Sequence, residues 1–159
     1  MRELTLPIIY SEYSSDDILP DQDSQLIRKA RKAAQNGYAP YSGYQVGAAV
    51  LLTNGIIIQG NNQENAAYPS GLCAERVALF YAASQFPGIA VEAIAVTIHN
   101  NNSGNPAKPC GACRQVLAEY EDLSGQPIRI ILDSAEKIIV LPGIDSLLPL
   151  RFKKDDLQK

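Results

Sequence analysis

The chain is poor in cysteine, histidine and charge. Its 159 residues include three cysteines and one histidine, and only 19% are Asp, Glu, Lys or Arg. An odd, small number of cysteines in a chain large enough for an ordinary core excludes a disulfide scaffold. The lone histidine, His99, ends an apolar run with no partner at metal spacing and is set aside as a ligand. Positive charge is scarce: the formal net charge is −3 and the pI is near 5.1. That leaves no basic face for a nucleic-acid backbone and favours a small-molecule substrate. No apolar stretch approaches the ~20 residues of a membrane span, and Met1-Arg2-Glu3-Leu4 does not begin a signal peptide. Repeats and low-complexity tracts are absent as well. With 46% hydrophobic residues, the expectation is one domain of common size, in the reducing cytoplasm, with neither membrane nor nucleic acid as partner.

The few cysteines are concentrated in two short motifs, Cys73-Ala74-Glu75 and Pro109-Cys110-Gly111-Ala112-Cys113. The C-x-x-C spacing puts two thiolates on one tight turn, within reach of a single tetrahedral ion, and Cys73 supplies a third. Three protein ligands leave one position for water, the mark of a catalytic zinc site. A lone C-x-x-C would also suit a redox pair, but such pairs follow a βαβ start that this chain lacks. The C-x-E motif followed by P-C-x-x-C matches the pattern of zinc deaminases.

Hydrophobic periodicity organises the remainder. Residues 1–20 read as an extended lead-in, with Leu4, Leu6, Ile8 and Tyr10 alternating as in a strand. A helix is predicted from Asp23 or Ser24, either of which can cap it, to Gln35, ending at Gly37. Tyr44 to Leu52 and Ile56 to Asn61 form a hairpin through Asn54-Gly55. A helix starts at Cys73 and ends near Phe86-Pro87-Gly88. Val91 to Ile98 has the continuous apolar character of a strand buried on both faces. A polar loop, Asn100 to Pro106, leads to a third helix from Cys110 to about Tyr120. Ile128 to Leu132 and Lys137 to Leu141 are too close for a crossover and should pair antiparallel. The expectation is a mixed five-stranded α/β sheet with helices on its faces, a single domain over residues 21–159 and an N-terminal extension over 1–20. Cys73 and Cys110 would each stand at a helix N-terminus, where free amides favour thiolates.

These residues, with Tyr38-Ala39-Pro40-Tyr41-Ser42, Val46-Gly47-Ala48-Ala49, Asn62-Gln63-Glu64-Asn65-Ala66 and Leu147-Leu148-Pro149 followed by Phe152, resemble the small homotetrameric zinc-dependent cytidine deaminases. The resemblance runs from about residue 28 to 157 and implies the three-layer α/β/α fold of that family. It also implies hydrolytic deamination of cytidine and 2′-deoxycytidine, in pyrimidine salvage. Cys73, Cys110 and Cys113 would bind one zinc ion per chain. Glu75 would take the proton of a water and relay protons to the pyrimidine. Asn62 and Glu64 would bind the ribose hydroxyls, the Ala74 backbone the base edge, and Tyr44 would stack near the ring. Arg76 and Gln115 would hydrogen-bond the sulfurs and draw off their negative charge. Phe152 would close the site of a neighbouring subunit in a homotetramer.

Blander readings stand beside these. Asn62 and Glu64 could be a turn amide and a solvated acid, Arg76 a surface charge, Tyr44 a core residue, and Phe152 packing for the tail. A relative acting on another aminated pyrimidine is a second enzyme reading. A zinc-stabilised binding module would need a fourth protein ligand that the sequence does not offer.

Overall fold

The computed structural model describes residues 1–14, 16–100 and 104–157. Part of the Asn100 to Pro106 loop expectation, at 101–103, lies outside them. The strands are β1 (Ser11–Tyr13), β2 (Val46–Leu52), β3 (Ile57–Asn61), β4 (Val91–Ile98), β5 (Arg129–Asp133) and β6 (Ile138–Leu141). The helices are α1 (Asp21–Ala34), α2 (Ala74–Gln85) and α3 (Gly111–Ser124).

Apolar alternation along the strands fixes the layers. On β2, Ala48, Val50 and Leu52 join Ala78, Leu79 and Leu117 of α2 and α3 in one cluster. Ala49 and Leu51 point the other way, onto Leu26, Ile27 and Ala30 of α1. β4 divides likewise, Ile94 and Val96 to one side and Ala93 and Ala95 to the other, because successive side chains of a strand point to opposite faces. One sheet thus lies between α1 and the α2–α3 pair.

The sheet has six strands, not the expected five, in the order β1-β6-β5-β4-β2-β3. It is mixed: β4 and β5 are parallel and the other pairs antiparallel, β5 with β6 included. The extra strand comes from the lead-in, where Ser11, Glu12 and Tyr13 pair with Val140, Ile139 and Ile138. Three residues are too few to show a period of two. The alternating segment itself lies exposed, with Leu4 77% and Ile8 58% accessible, since β6 has no chain left to pair with it. The Asn54-Gly55 hairpin forms, with Gly55 at φ +84° and its N–H donating to Leu52 O at 2.8 Å.

Two helix boundaries differ from expectation. α1 starts at Asp21 after Pro20, without a side-chain cap, because the two candidate caps are engaged elsewhere. Asp23 accepts from Arg129 at 2.8 Å, and Ser24 Oγ donates to Asp16 O at 2.5 Å. α3 runs past Tyr120 to Ser124 and stops at the left-handed Gly125. Glu121 is buried and accepts the Ile128 and Ile144 amides at 2.9 and 3.0 Å.

Candidate active site

Two helix beginnings meet beside the end of β4. Cys73 and Cys110 are the N-cap residues of α2 and α3, both in extended backbone and neither making a side-chain capping bond. A serine or aspartate in that position would turn back onto the first-turn amides; the thiols remain free. Cys113 follows in the first turn of α3. Sγ of Cys73 and of Cys110 are 3.7 Å apart, and the three sulfurs lie within 4.8 Å of one another. Among the described residues this is the cluster of Cys, His, Asp or Glu able to hold a metal ion.

The donor set fits zinc. Zn–S bonds of about 2.3 Å set the sulfurs of a tetrahedron about 3.8 Å apart, close to the Cys73–Cys110 spacing. The protonation pattern also suits an ion. Hydrogen bonding from Cys113, with help from Arg76, brings the Cys73 thiol down to about 5. Holding the shared proton, together with burial, pushes Cys113 up. Without a cation the cluster therefore stabilises a thiolate at Cys73 and resists one at Cys113. Arg76 Nη2 lies 3.7 Å from Cys73 Sγ, and its buried Nε has no partner among the described residues.

Cys73 and Cys110 border a cavity of about 500 Å³, lined also by Glu75, Tyr44, Asn62, Glu64 and Arg76. Glu75, in the first turn of α2, is 4% exposed. Burial pushes its carboxyl above the ordinary range, and the charge on Cys73 adds to the shift. Tyr44 is half exposed, its hydroxyl pushed up by partial burial and by Glu75. Val96 and Ile98 at the end of β4 give the cavity an apolar wall. Ala74, fully buried, starts α2.

Asn62 and Glu64 reach this cavity with different commitments. Asn62 is buried; its Oδ1 accepts from Val46 N and its Nδ2 donates to Tyr44 O, both at 2.8 Å. It ties the Tyr44 segment to the end of β3. Glu64 accepts from the Ser42 hydroxyl and from Tyr41 N at 2.9 Å, which holds its carboxyl below the ordinary range.

One expected residue lies elsewhere. Gln115 turns its amide to the C-terminal tail, donating to Phe152 O at 3.2 Å. Phe152 is 57% exposed and does not line its own chain's cavity. Conversely, Tyr41, Ser42 and Tyr68, with no role expected from the sequence, line the cavity. The Tyr41 and Tyr68 rings stack edge-on at 6.4 Å. The turn residues of Tyr38-Ala39-Pro40-Tyr41-Ser42 were the available signal. His99 lies at a separate cavity beside Arg31 and Asp133.

Comparison with known proteins agrees with this geometry. Residues 20–123 match the family model described as the cytidine and deoxycytidylate deaminase zinc-binding region. A cytidine deaminase of Halalkalibacterium halodurans is 42% identical over 134 residues, covering 83% of this chain and 95% of that protein. The crystal structure of cytidine deaminase from Burkholderia pseudomallei superposes with a TM-score of 0.70 at 38% identity, covering 80% of this chain and 97% of that one. Cytidine deaminase from Mycobacterium tuberculosis gives 0.66 at 32% identity, with coverages of 84% and 98%. Because the likeness takes in nearly the whole length of each of these proteins, this chain belongs to the cytidine deaminase family.

Proposed function

We propose that the protein hydrolyses cytidine and 2′-deoxycytidine to the corresponding uridines and ammonia, in pyrimidine salvage, with one zinc ion per chain on Cys73, Cys110 and Cys113. One observation carries the reading: two of three convergent sulfurs, those of Cys73 and Cys110, border the same cavity as the buried Glu75. Zinc, when bound, supplies a Lewis acid beside which a water becomes nucleophilic near neutral pH.

The chain's own residues do the rest. Glu75 takes one proton from the attacking water and delivers it to N3 as the C4–O bond forms. It then carries the second water proton to the exocyclic nitrogen, and the C4–N bond breaks to release ammonia. Tyr44 offers a ring face to the base, and the Ala74 backbone at the head of α2 meets the base edge. Asn62 and Glu64 meet the ribose. Arg76 draws charge from Cys73, which keeps a three-thiolate site acidic enough to serve.

The same reading gives a homotetramer with shared sites, built on residues 21–159 with 1–20 as an extension. α2 has apolar residues on its outward side, Phe80 and Tyr81 being 42% and 53% exposed, as expected of a face that meets another subunit. Thiolate ligands need a reducing compartment, which supports the cytoplasm; among the described residues no helix is long and apolar enough to cross a membrane. The test is ammonia release from cytidine, deoxycytidine, cytosine and cytidine monophosphate by zinc-assayed protein, with light scattering on the same sample. Activity confined to the nucleotide or to free cytosine would overturn the nucleoside assignment, and a fully active monomer the shared site.

A further inference from the structure

The C-terminal tail is tied to α3 at three points. Arg114 Nη1 donates to Leu147 O at 2.8 Å, and Gln115 Nε2 donates to Phe152 O at 3.2 Å. The third tie comes from the tail itself. Arg151, its side chain only 5% exposed, donates to Ala118 O at 2.8 Å and to Asp122 Oδ1 at 2.9 Å. Its Nε lies 2.9 Å from Asp145 Oδ1, and Glu121 Oε1 is 3.5 Å from Nη2.

The two residues flanking this anchor behave oppositely. Leu150 has φ +56° and its side chain is 92% exposed, a backbone conformation that a leucine adopts only when its surroundings impose it. Phe152 is more than half exposed, although the backbone before and at it is fastened. A ring left in solvent on a fastened backbone is presented outward rather than merely untidy. α3 is also the helix that carries Cys113 in its first turn, so the ring's position is set relative to the sulfur cluster.

We propose that Arg151 is a positioning residue that presents Phe152 to the active-site cavity of a neighbouring copy of this chain. This inference rests on the shared-site reading above. The guanidinium fork holds a helix carbonyl and carboxylates from both the helix and the tail, a geometry that a lysine ammonium cannot reproduce. Removing it frees the backbone that aims the ring while leaving the ring, Glu75 and the sulfurs in place.

The experiment compares Arg151→Gln, Arg151→Lys, Phe152→Ala and the Arg151→Gln/Phe152→Ala double variant in the zinc-loaded enzyme, with assembly checked by sedimentation. Arg151→Gln and Phe152→Ala should each raise KM for cytidine about five- to tenfold, the scale of a lost aromatic contact. kcat and zinc content should hold. The double variant should be no worse than Phe152→Ala alone, since Arg151 acts through that ring. Arg151→Lys should fall between wild type and Arg151→Gln, and it carries the comparison if Arg151→Gln fails to assemble. A wild-type KM in the Arg151 variants, or an equal KM rise on the Phe152→Ala background, overturns the proposal. Co-assembly of Phe152→Ala with Glu75→Gln chains tests the underlying reading separately. Recovery of low-KM sites shows the ring acting in trans. A Phe152→Ala variant with wild-type KM sinks the shared site and this inference with it.

Discussion

Gly60 on β3 and Ala78 on α2 approach so closely that a methyl group on Gly60 would stand 2.6 Å from the Ala78 backbone nitrogen and 2.7 Å from Ala74 O. Backbone is on the other side of this contact, so nothing there can rotate away. The approach seats the first turn of α2, and with it Cys73 and Glu75, against the sheet. Gly60→Ala should therefore destabilise the fold by about 1–3 kcal/mol, the cost of overpacking, and loosen the metal. Thermal melts and chelator competition measure both. Unchanged values in each would show that the helix seat is set elsewhere.

Glu75→Gln keeps the shape of the buried side chain and removes its ability to carry a proton. Turnover should fall at least ~10²-fold, the scale of a lost general base, with one zinc still bound and nucleoside binding retained. Near wild-type rates at full zinc content would assign the proton transfers to another group.

Arg76 touches Cys73 Sγ at 3.7 Å, so its removal should act on the metal before it acts on substrate. Arg76→Ala should weaken zinc affinity or activity about 10–100-fold, and Arg76→Lys should restore little, since it lacks the fork. Competition with a chromogenic chelator reads the affinity directly. Wild-type zinc retention together with wild-type turnover would make Arg76 a surface charge.

Asn62 and Glu64 should separate by what else each holds. Asn62→Ala removes bonds to Val46 N and Tyr44 O and should cost about 1–3 kcal/mol of stability along with nucleoside use. Glu64→Ala should raise KM for cytidine several-fold with little change in melting temperature. Deamination of free cytosine should be poor and should respond weakly to the Glu64 change. Equal effects on cytidine and cytosine would remove the ribose assignment.

Ser42 gives that assignment a pH signature. Hydrogen bonds from Ser42 and Tyr41 hold the Glu64 carboxyl below its ordinary range. A depressed carboxylate contributes fully above its unfolded pKa, and the contribution is lost as pH falls through the folded one. Ser42→Ala should let the pKa drift upward, so KM for cytidine should begin to rise at a higher pH on acidification than in wild type. Coincident KM profiles in the acid range would show that Ser42 does not tune this carboxylate.

Local chemistry alone determined a good part of this protein. The cysteines are few and their spacing is short, so a tight turn with two thiolates at a helix start follows from Pro109 to Cys113 without knowledge of the fold. Asn54-Gly55 sets its hairpin because the turn needs positive φ, and the apolar run Val91 to Ile98 marks itself as a strand buried on both faces. Tertiary structure decided which distant groups meet. Cys73 and Cys110 come within 3.7 Å because α2 and α3 pack on the same face of one sheet, a contact between segments far apart in sequence. The sixth strand exists because β6 offered an edge to Ser11–Tyr13, while the better alternation at Leu4 to Tyr10 found none. Asp23, Ser24 and Gln115 left their expected places because Arg129, Asp16 and the Phe152 carbonyl gave them other partners. A side chain's chemistry is set by its identity, but its partner is set by whatever the folded chain brings within about 3 Å of it, and no local pattern records that distance.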